Sequence, residues 1–225
     1  MALTVDDILT KRVRLLLRDI DEGGVQWRDA ELINWFNEAC EEISRLQPES
    51  SSKTVEVSPL QQGAKQTVPQ GTSLLLEAVC NSSDGNEGRI VRRVERSTLD
   101  NEEPDWMMSE RTDVVMRYAA SLTDPRVFYV YPPSSGSANS GLSIVVATVP
   151  DKVTQLTDMC PLPDMYSSVI ANYVLHRAFS KLTESADAQQ RAIHYLQLFD
   201  AQVGTTINTM EGRTAPARDP IGPGV

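Results

Sequence analysis

This chain of 225 residues has little of what compact chemistry needs. It holds two histidines and three cysteines, and aromatic residues make up only 6%. His176 and His194 alone fall short of the ligand clusters that hold catalytic metals. Cys40, Cys80 and Cys160 are odd in number, far apart and without a CxxC pair. They exclude a disulfide framework and read as reduced, buried thiols. Basic charge is also in deficit, with 21 Lys and Arg against 31 Asp and Glu for a net charge of −10. A protein that grips nucleic-acid phosphates needs a basic face, which this balance argues against. It leaves room for one that lies beside DNA without holding it. Long apolar runs are missing too, since stretches such as Leu15-Leu16-Leu17 and Leu74-Leu75-Leu76 are far below a membrane span. Asp6 and Asp7 stand where a signal peptide needs an apolar stretch. The expectation is a protein made in a cytosol, with no membrane anchor.

What is present is periodic. Thr4 and Asp7 make a capping box, and Val5, Ile8, Leu9, Val13, Leu16, Leu17 and Ile20 follow at helical spacing. A first helix is therefore expected to run until Gly23-Gly24. A second is expected over 29–47, with Asp29 as N-cap and Pro48 as stop. Its stripe is Leu32, Trp35, Phe36, Ala39, Ile43 and Leu46, and the short link predicts an antiparallel hairpin. After Ser50-Ser51-Ser52 the pattern turns to strands, near 53–57, 65–68, 74–81, 89–94, 114–119, 127–131 and 142–148. Gly63, Pro69-Gln70-Gly71, Asp84-Gly85 and Pro132-Pro133 separate them. Helical spacing returns with Tyr166, Val169, Ile170, Tyr173, Val174 and Ala178. A last helix, capped by Ser185, carries Ala192, Tyr195, Leu196, Phe199 and Val203. The expected fold class is α+β: a helical bundle built from both termini (1–50 and 160–204) around a small antiparallel β insertion (51–159). The insertion is a sandwich or an open barrel. Residues 205–225, rich in Pro and Gly at the end, are expected as an extended C-terminal tail.

The chain offers no phosphate-binding glycine loop, no HExxH and no GxSxG. Its adjacent acids, Asp6-Asp7, Glu41-Glu42 and Glu102-Glu103, cannot point at one atom and read as solvated charge. Asp164 and Glu38 read as helix-related charges. Ser50 to Lys53 fits SxxK without a second element, and Asn81-Ser82-Ser83 fits a glycosylation sequon but reads as a turn. No catalytic, cofactor-binding or metal-binding residue is expected. Arg89, Arg92, Arg93 and Arg96 cluster within eight residues. They read as charge facing DNA, as an intersubunit ion pair, or as protection of a sheet edge against wrong pairing. Trp106 is either an exposed partner anchor or a core residue. In the tail, Arg213, Pro216, Arg218 and Ile221 are candidate anchors on a partner.

The landmarks together carry a resemblance. The run Trp27-Arg28-Asp29-Ala30-Glu31-Leu32-Ile33-Asn34-Trp35-Phe36-Asn37-Glu38-Ala39 resembles the W-x-D-x-E-L-x-x-W-x-N opening of a family of tailed-phage head-to-tail adaptors. Gly63 to Gly71, Pro104-Asp105-Trp106, Asp124-Pro125-Arg126 through Pro132-Pro133, and Leu162-Pro163-Asp164-Met165-Tyr166 leading to Tyr173–Lys181 follow in order. The likeness spans residues 1–204. It implies a structural virion protein of the head-tail neck, assembled in the host cytoplasm, in a ring of about twelve copies beneath the portal protein. It further implies a helical bundle against the portal, a β lobe facing a tail or neck protein, and genomic DNA passing through without sequence-specific binding. The alternatives are a stopper or tail-completion ring on the tail side and, further off, a neck-associated hydrolase.

Overall fold

Thr4 caps the first helix as its spacing requires. The computed structural model describes residues 3–19, 26–83 and 85–214. In it the Asp7 amide donates to Thr4 Oγ1 while the Thr4 amide donates to Asp7 Oδ2, the reciprocal box. α1 (Val5–Ile8) runs on into a wider π-helical segment (Leu9–Arg14) and a closing turn, α2 (Leu15–Leu17). A π turn holds extra backbone and rotates the residues that follow it. Val5, Ile8, Leu9, Val13 and Leu17 stay buried, whereas Arg14 is carried inward and Leu16 turns out to 54% exposure. The helix ends at Arg18, in the left-handed region at φ 57°, earlier than its sequence suggested. Ile20 and Gly23-Gly24 lie outside the described residues. In α3 (Asp29–Leu46) the extended cap position belongs to Arg28, so Asp29 is the first helical residue and not the N-cap. Its inward face is Leu32, Trp35, Phe36, Ala39 and Ile43, joined by Ile33 and Cys40.

Residues 48–150 form one of two compact units, the other being 1–47 with 151–225. A 3-10 turn leads into β1 (Ser52–Val57), β2 (Gly63–Thr67), β3 (Thr72–Asn81) and β4 (Arg92–Arg93). α4 (Arg96–Glu102), β5 (Arg117–Ala120), β6 (Val127–Ser134) and β7 (Leu142–Thr148) follow. The strands make two sheets, β1-β7-β3 and β2-β6-β5-β4. Every pairing is antiparallel except the short β4–β5 contact, which is parallel. Both sheets contribute to one core, with Leu75, Ala78 and Ile144 from the first and Tyr118, Phe128 and Val130 from the second. Strand alternation sends Tyr129 and Tyr131 to the opposite face of the second sheet. There Leu99 of α4 and Trp106 of a following 3-10 turn cover Ala119 and Ala64.

Two strand expectations are corrected. The strand at 89–94 shrinks to two residues because its amides bond in different directions. Val91 donates to the Val79 carbonyl, and Arg92 and Val94 donate to Met116 and Tyr118. β6 passes through Pro132 and Pro133, where a break was expected. The register jumps there, from Tyr129 opposite Lys65 to Ser134 opposite Gly63, so the missing N–H groups fall within an irregularity. Asn81 is no open turn residue but is fully buried. Its side-chain amide donates to the Arg89 and Val115 carbonyls and its oxygen accepts the Val115 amide, each at 2.9 Å.

The helical unit resumes at residue 151. The Val5 and Asp6 amides, orphan donors of α1, are taken up by the Asp158 and Leu156 carbonyls. A 3-10 turn (Asp164–Tyr166) opens into α5 (Ser167–Ser180), and α6 (Ala186–Thr214) follows with Ser185 Oγ accepting the Ala188 amide, as expected of a cap. One core joins the helices, from Val5, Leu9 and Val13 through Phe36 and Ile43 to Ile170, Val174, Phe199 and Val203. The architecture is α+β, helices with small antiparallel sheets. The extended tail expected from 205 is corrected in part, since α6 is helical to Thr214. Its first helix-breaking proline is Pro216.

Candidate interaction surfaces

Many of the titratable groups are held in structural ion pairs and hydrogen bonds. In the helical unit Arg14, 4% exposed, lies among apolar side chains and would be costly unpaired. Its guanidinium donates to Asp19 at 2.9 Å, to Asp29, and to the Trp27 carbonyl at 3.0 Å. Asp19 accepts the Gln26 and Trp27 amides, both at 3.2 Å, so one buried charge pair closes the turn between the first two helices. No signal in the sequence singled out Arg14, which stands among Lys11, Arg12 and Arg18.

Of the adjacent acids, Asp6 and Asp7 do converge, both on Lys11 Nζ at 3.8 and 2.6 Å. This corrects the expectation that neighbours cannot meet one atom, while the other pairs part. Asp7 bonds Lys11 Nζ at 2.6 Å, and that bond, followed by those from Thr4, holds its carboxyl well below the usual carboxylate range. Glu41 meets Lys152 at 3.1 Å, Glu42 meets Arg45, and Glu102 meets Arg117 at 2.6 Å. Glu38 pairs with Arg177, and Asp164 accepts the Leu3 amide at 3.3 Å. Burial pushes the Cys40 thiol far up, which fits an inert core cysteine. His176 Nδ1 bonds the Ala192 carbonyl at 2.9 Å and so ties α5 to α6, while His194 lies exposed beside Tyr195. Among the described residues no group of three or more His, Cys, Asp or Glu is placed to hold a metal ion. No helix there is long and apolar enough to cross a membrane.

The predicted partner residues divide. Trp106 is 1% exposed, which corrects the exposed-anchor reading. Its Nε1 donates to Asp100 at 2.9 Å and its ring meets Tyr129 edge-on at 6.1 Å. The reason is local: α4, unseen in the sequence pattern, supplies both the lid and the hydrogen-bond acceptor. Arg89, Arg92, Arg93 and Arg96 are all exposed. Arg96 lies over the Tyr129 ring at 4.8 Å and 3.6 Å from Asp100. With Arg93, Glu95 and the fully exposed Leu122 it lines a hollow of about 570 Å³. Pro216, Arg218 and Ile221 lie outside the described residues, as does the side chain of Arg213.

Two further surfaces had no motif to announce them. In the helical unit Leu15 and Leu16, 60% and 54% exposed, line a groove of about 360 Å³ with Arg12 and, from α5, Ala171 and Leu175. In the β unit a hollow of about 410 Å³ is lined by Glu103, Pro104, Asp105, Met108 and Ser109. Contiguous apolar exposure rimmed by charge is the chemistry of protein contacts.

No curated protein matches the chain. A family model described as SU10 adaptor protein matches residues 3–220, nearly the whole chain. The chain thus belongs to the SU10 adaptor protein family, a family of phage head-to-tail adaptors.

Proposed function

We propose that this phage adaptor works as a ring in the virion neck. Copies associate below the portal protein, extend the channel through which the genome passes, and join the capsid vertex to a tail or neck protein. Family membership over residues 3–220 carries the reading. The surfaces favour it too, because Leu15 and Leu16 expose apolar area that a helical unit standing alone has no reason to leave in water. That groove suits contact with the portal, and the β unit is then the side that meets the tail component. An excess of acids over bases suits a channel wall, since it repels phosphate and keeps DNA from sticking. The chemistry is that of assembly and not of catalysis. The C-terminal residues Arg213, Pro216, Arg218 and Ile221 are assigned to the portal contact.

Electron microscopy of this chain mixed with the portal protein of the same genome tests the reading. The expected result is a ring stacked coaxially under the portal, and removal of residues 215–225 should weaken it without unfolding the chain. A folded protein that ignores the portal but binds a tail-side component would replace the reading with that of a stopper or tail-completion ring.

A further inference from the structure

The β unit carries two surface patches of opposite charge, each with members that form no ion pair among the described residues. The first is the segment 89–93, in which residues 89–91 are bonded to β3 and Arg92–Arg93 form β4. Arg89, Arg92 and Arg93 are exposed, and none forms an ion pair among the described residues. β4 is the last strand of its sheet, where charge guards against wrong pairing. Protection alone does not account for Ile90, which stands among these arginines at 66% exposure. An apolar side chain ringed by cations is what a docking edge requires, and it weakens a guard.

The second patch follows α4. Asp100, Glu102, Glu103, Asp105 and Glu110 fall between 100 and 110 without a single base. Asp100, Glu102 and Glu103 have partners in Arg96, Arg117 and the Tyr131 hydroxyl. Asp105 and Glu110 are exposed and form no ion pair among the described residues. Beside them Met108 is 80% exposed and Met107 40%. Methionine is a flexible apolar side chain that adapts to a partner's shape. Within one copy Arg117, opposite Arg92 on the neighbouring strand, takes up Glu102 and the Tyr131 hydroxyl takes up Glu103, which leaves Asp105 and Glu110 for a partner.

We propose that the 89–93 segment of one copy docks on the acidic surface of a second copy that carries Met107 and Met108. Ile90 packs against Met107 and Met108, and the arginines face Asp105, Glu110 and Glu103. Where each copy offers its acidic surface to one neighbour and its 89–93 segment to the next the contact is heterologous, whereas a reciprocal exchange of both patches would make a two-fold pair. Heterologous contacts make a ring where the rotation between copies closes, and the ring proposed above selects that arrangement. The inference deepens the proposed ring and rests on it.

Reciprocal charge reversal tests it. One variant carries Arg92→Glu with Arg93→Glu, the other Asp105→Arg with Glu110→Arg, all at exposed positions. Self-association is followed by light scattering at low and high salt, with circular dichroism to confirm folding. Wild-type chain should assemble, more strongly at low salt. Each variant alone sets like charges face to face and should lose association on the order of a hundredfold. Mixed in equal amounts, the two variants again present opposite charges at every contact and should assemble. Folded variants that assemble like wild type overturn the pairing while leaving a ring intact. A wild-type chain that stays monomeric at low salt also overturns it, and the portal experiment then decides the ring reading separately. If Arg92→Glu with Arg93→Glu instead abolishes retention of duplex DNA and spares association, the arginines belong to phosphate and the proposal fails.

Discussion

Replacing Arg14 by alanine should cost the helical unit more than any surface substitution. The guanidinium and the Asp19 carboxylate are each 5% exposed, and Asp29 is 39% exposed. Removing the cation leaves Asp19 buried without its guanidinium and the Trp27 carbonyl without its donor. Breaking a buried pair in this way costs about 3–5 kcal/mol, chiefly the penalty of the charge left behind. For a chain of this length that lowers the melting temperature by roughly 6–20 °C. The assay is urea unfolding followed by tryptophan fluorescence, since Trp27 and Trp35 report from inside this unit. Arg45→Ala serves as control: its partner Glu42 lies on the surface, and an exposed pair is worth about 0.2–1 kcal/mol at most. The double variant Arg14→Ala with Asp19→Asn should be more stable than Arg14→Ala alone, because it removes the buried charge while keeping an acceptor oxygen for the Gln26 and Trp27 amides. A loss no larger than that of Arg45→Ala, or a double variant as unstable as the sum of its parts, would refute the reasoning.

Trp106→Ala should destabilise the β unit by about 3–5 kcal/mol in thermal unfolding followed by circular dichroism, as expected for emptying a packed aromatic site. Trp106→Phe, which keeps most of the volume but drops the bond to Asp100, should cost less; unchanged stability in both would return Trp106 to the surface. Thr4→Ala should cost about 1 kcal/mol by removing the helix cap, read from the urea midpoint at neutral pH. For Asp7 the folded carboxyl is held below its unfolded value, so its contribution is present above about pH 4 and fades as pH falls through the folded value. The stability gap between wild type and Asp7→Asn should therefore narrow on acidification, and a gap that widens would reverse the assignment. Cys40, 2% exposed and with its thiol pushed up by burial, should resist a thiol reagent until urea unfolds the chain.

Much of the fold was legible because its elements announce themselves by periodicity. The stripe of α3 is buried except for Leu46, which is exposed, and those of α5 and α6 are buried apart from the half-buried Tyr173, Tyr195 and Leu196. The alternating positions of β6 and β7 are buried as read. Misreadings cluster where a local rule met a tertiary one. The heptad-like spacing at 5–20 predicted Leu16 inward, but the π segment rotates the helix and brings in Arg14, whose charge the Asp19 and Asp29 carboxylates compensate. α4 was unreadable because residues 96–102 hold one buried apolar residue, Leu99, too few for a period. Its existence follows from the sheet face it covers. Pro132 and Pro133 looked like a break because the irregular register that tolerates them is visible only with β2 in place.

The motif that carried the family resemblance turns out to point inward, and this bears on where partner choice resides. Trp27 is buried and its carbonyl accepts from Arg14; Asp29 holds the same guanidinium; Glu31 meets Lys181 at 2.7 Å. Leu32 and Trp35 fill the core, and Asn37 exchanges hydrogen bonds with the Val153 backbone at 2.9 and 3.0 Å. Every lettered position up to the asparagine has a role inside the helical unit, so the run specifies a fold and leaves little of itself for a partner. Binding free energy at protein interfaces concentrates in a few exposed anchors whose surroundings exclude water. In this chain the exposed apolar side chains Leu15 and Leu16 in one unit and Ile90 and Met108 in the other fall outside the motif. A chimera that keeps 27–39 but exchanges 89–93 with another family member should therefore fold as before and change which copies it joins. Mixed-copy association measured by native mass spectrometry reads this directly, and unchanged pairing would place the determinant elsewhere.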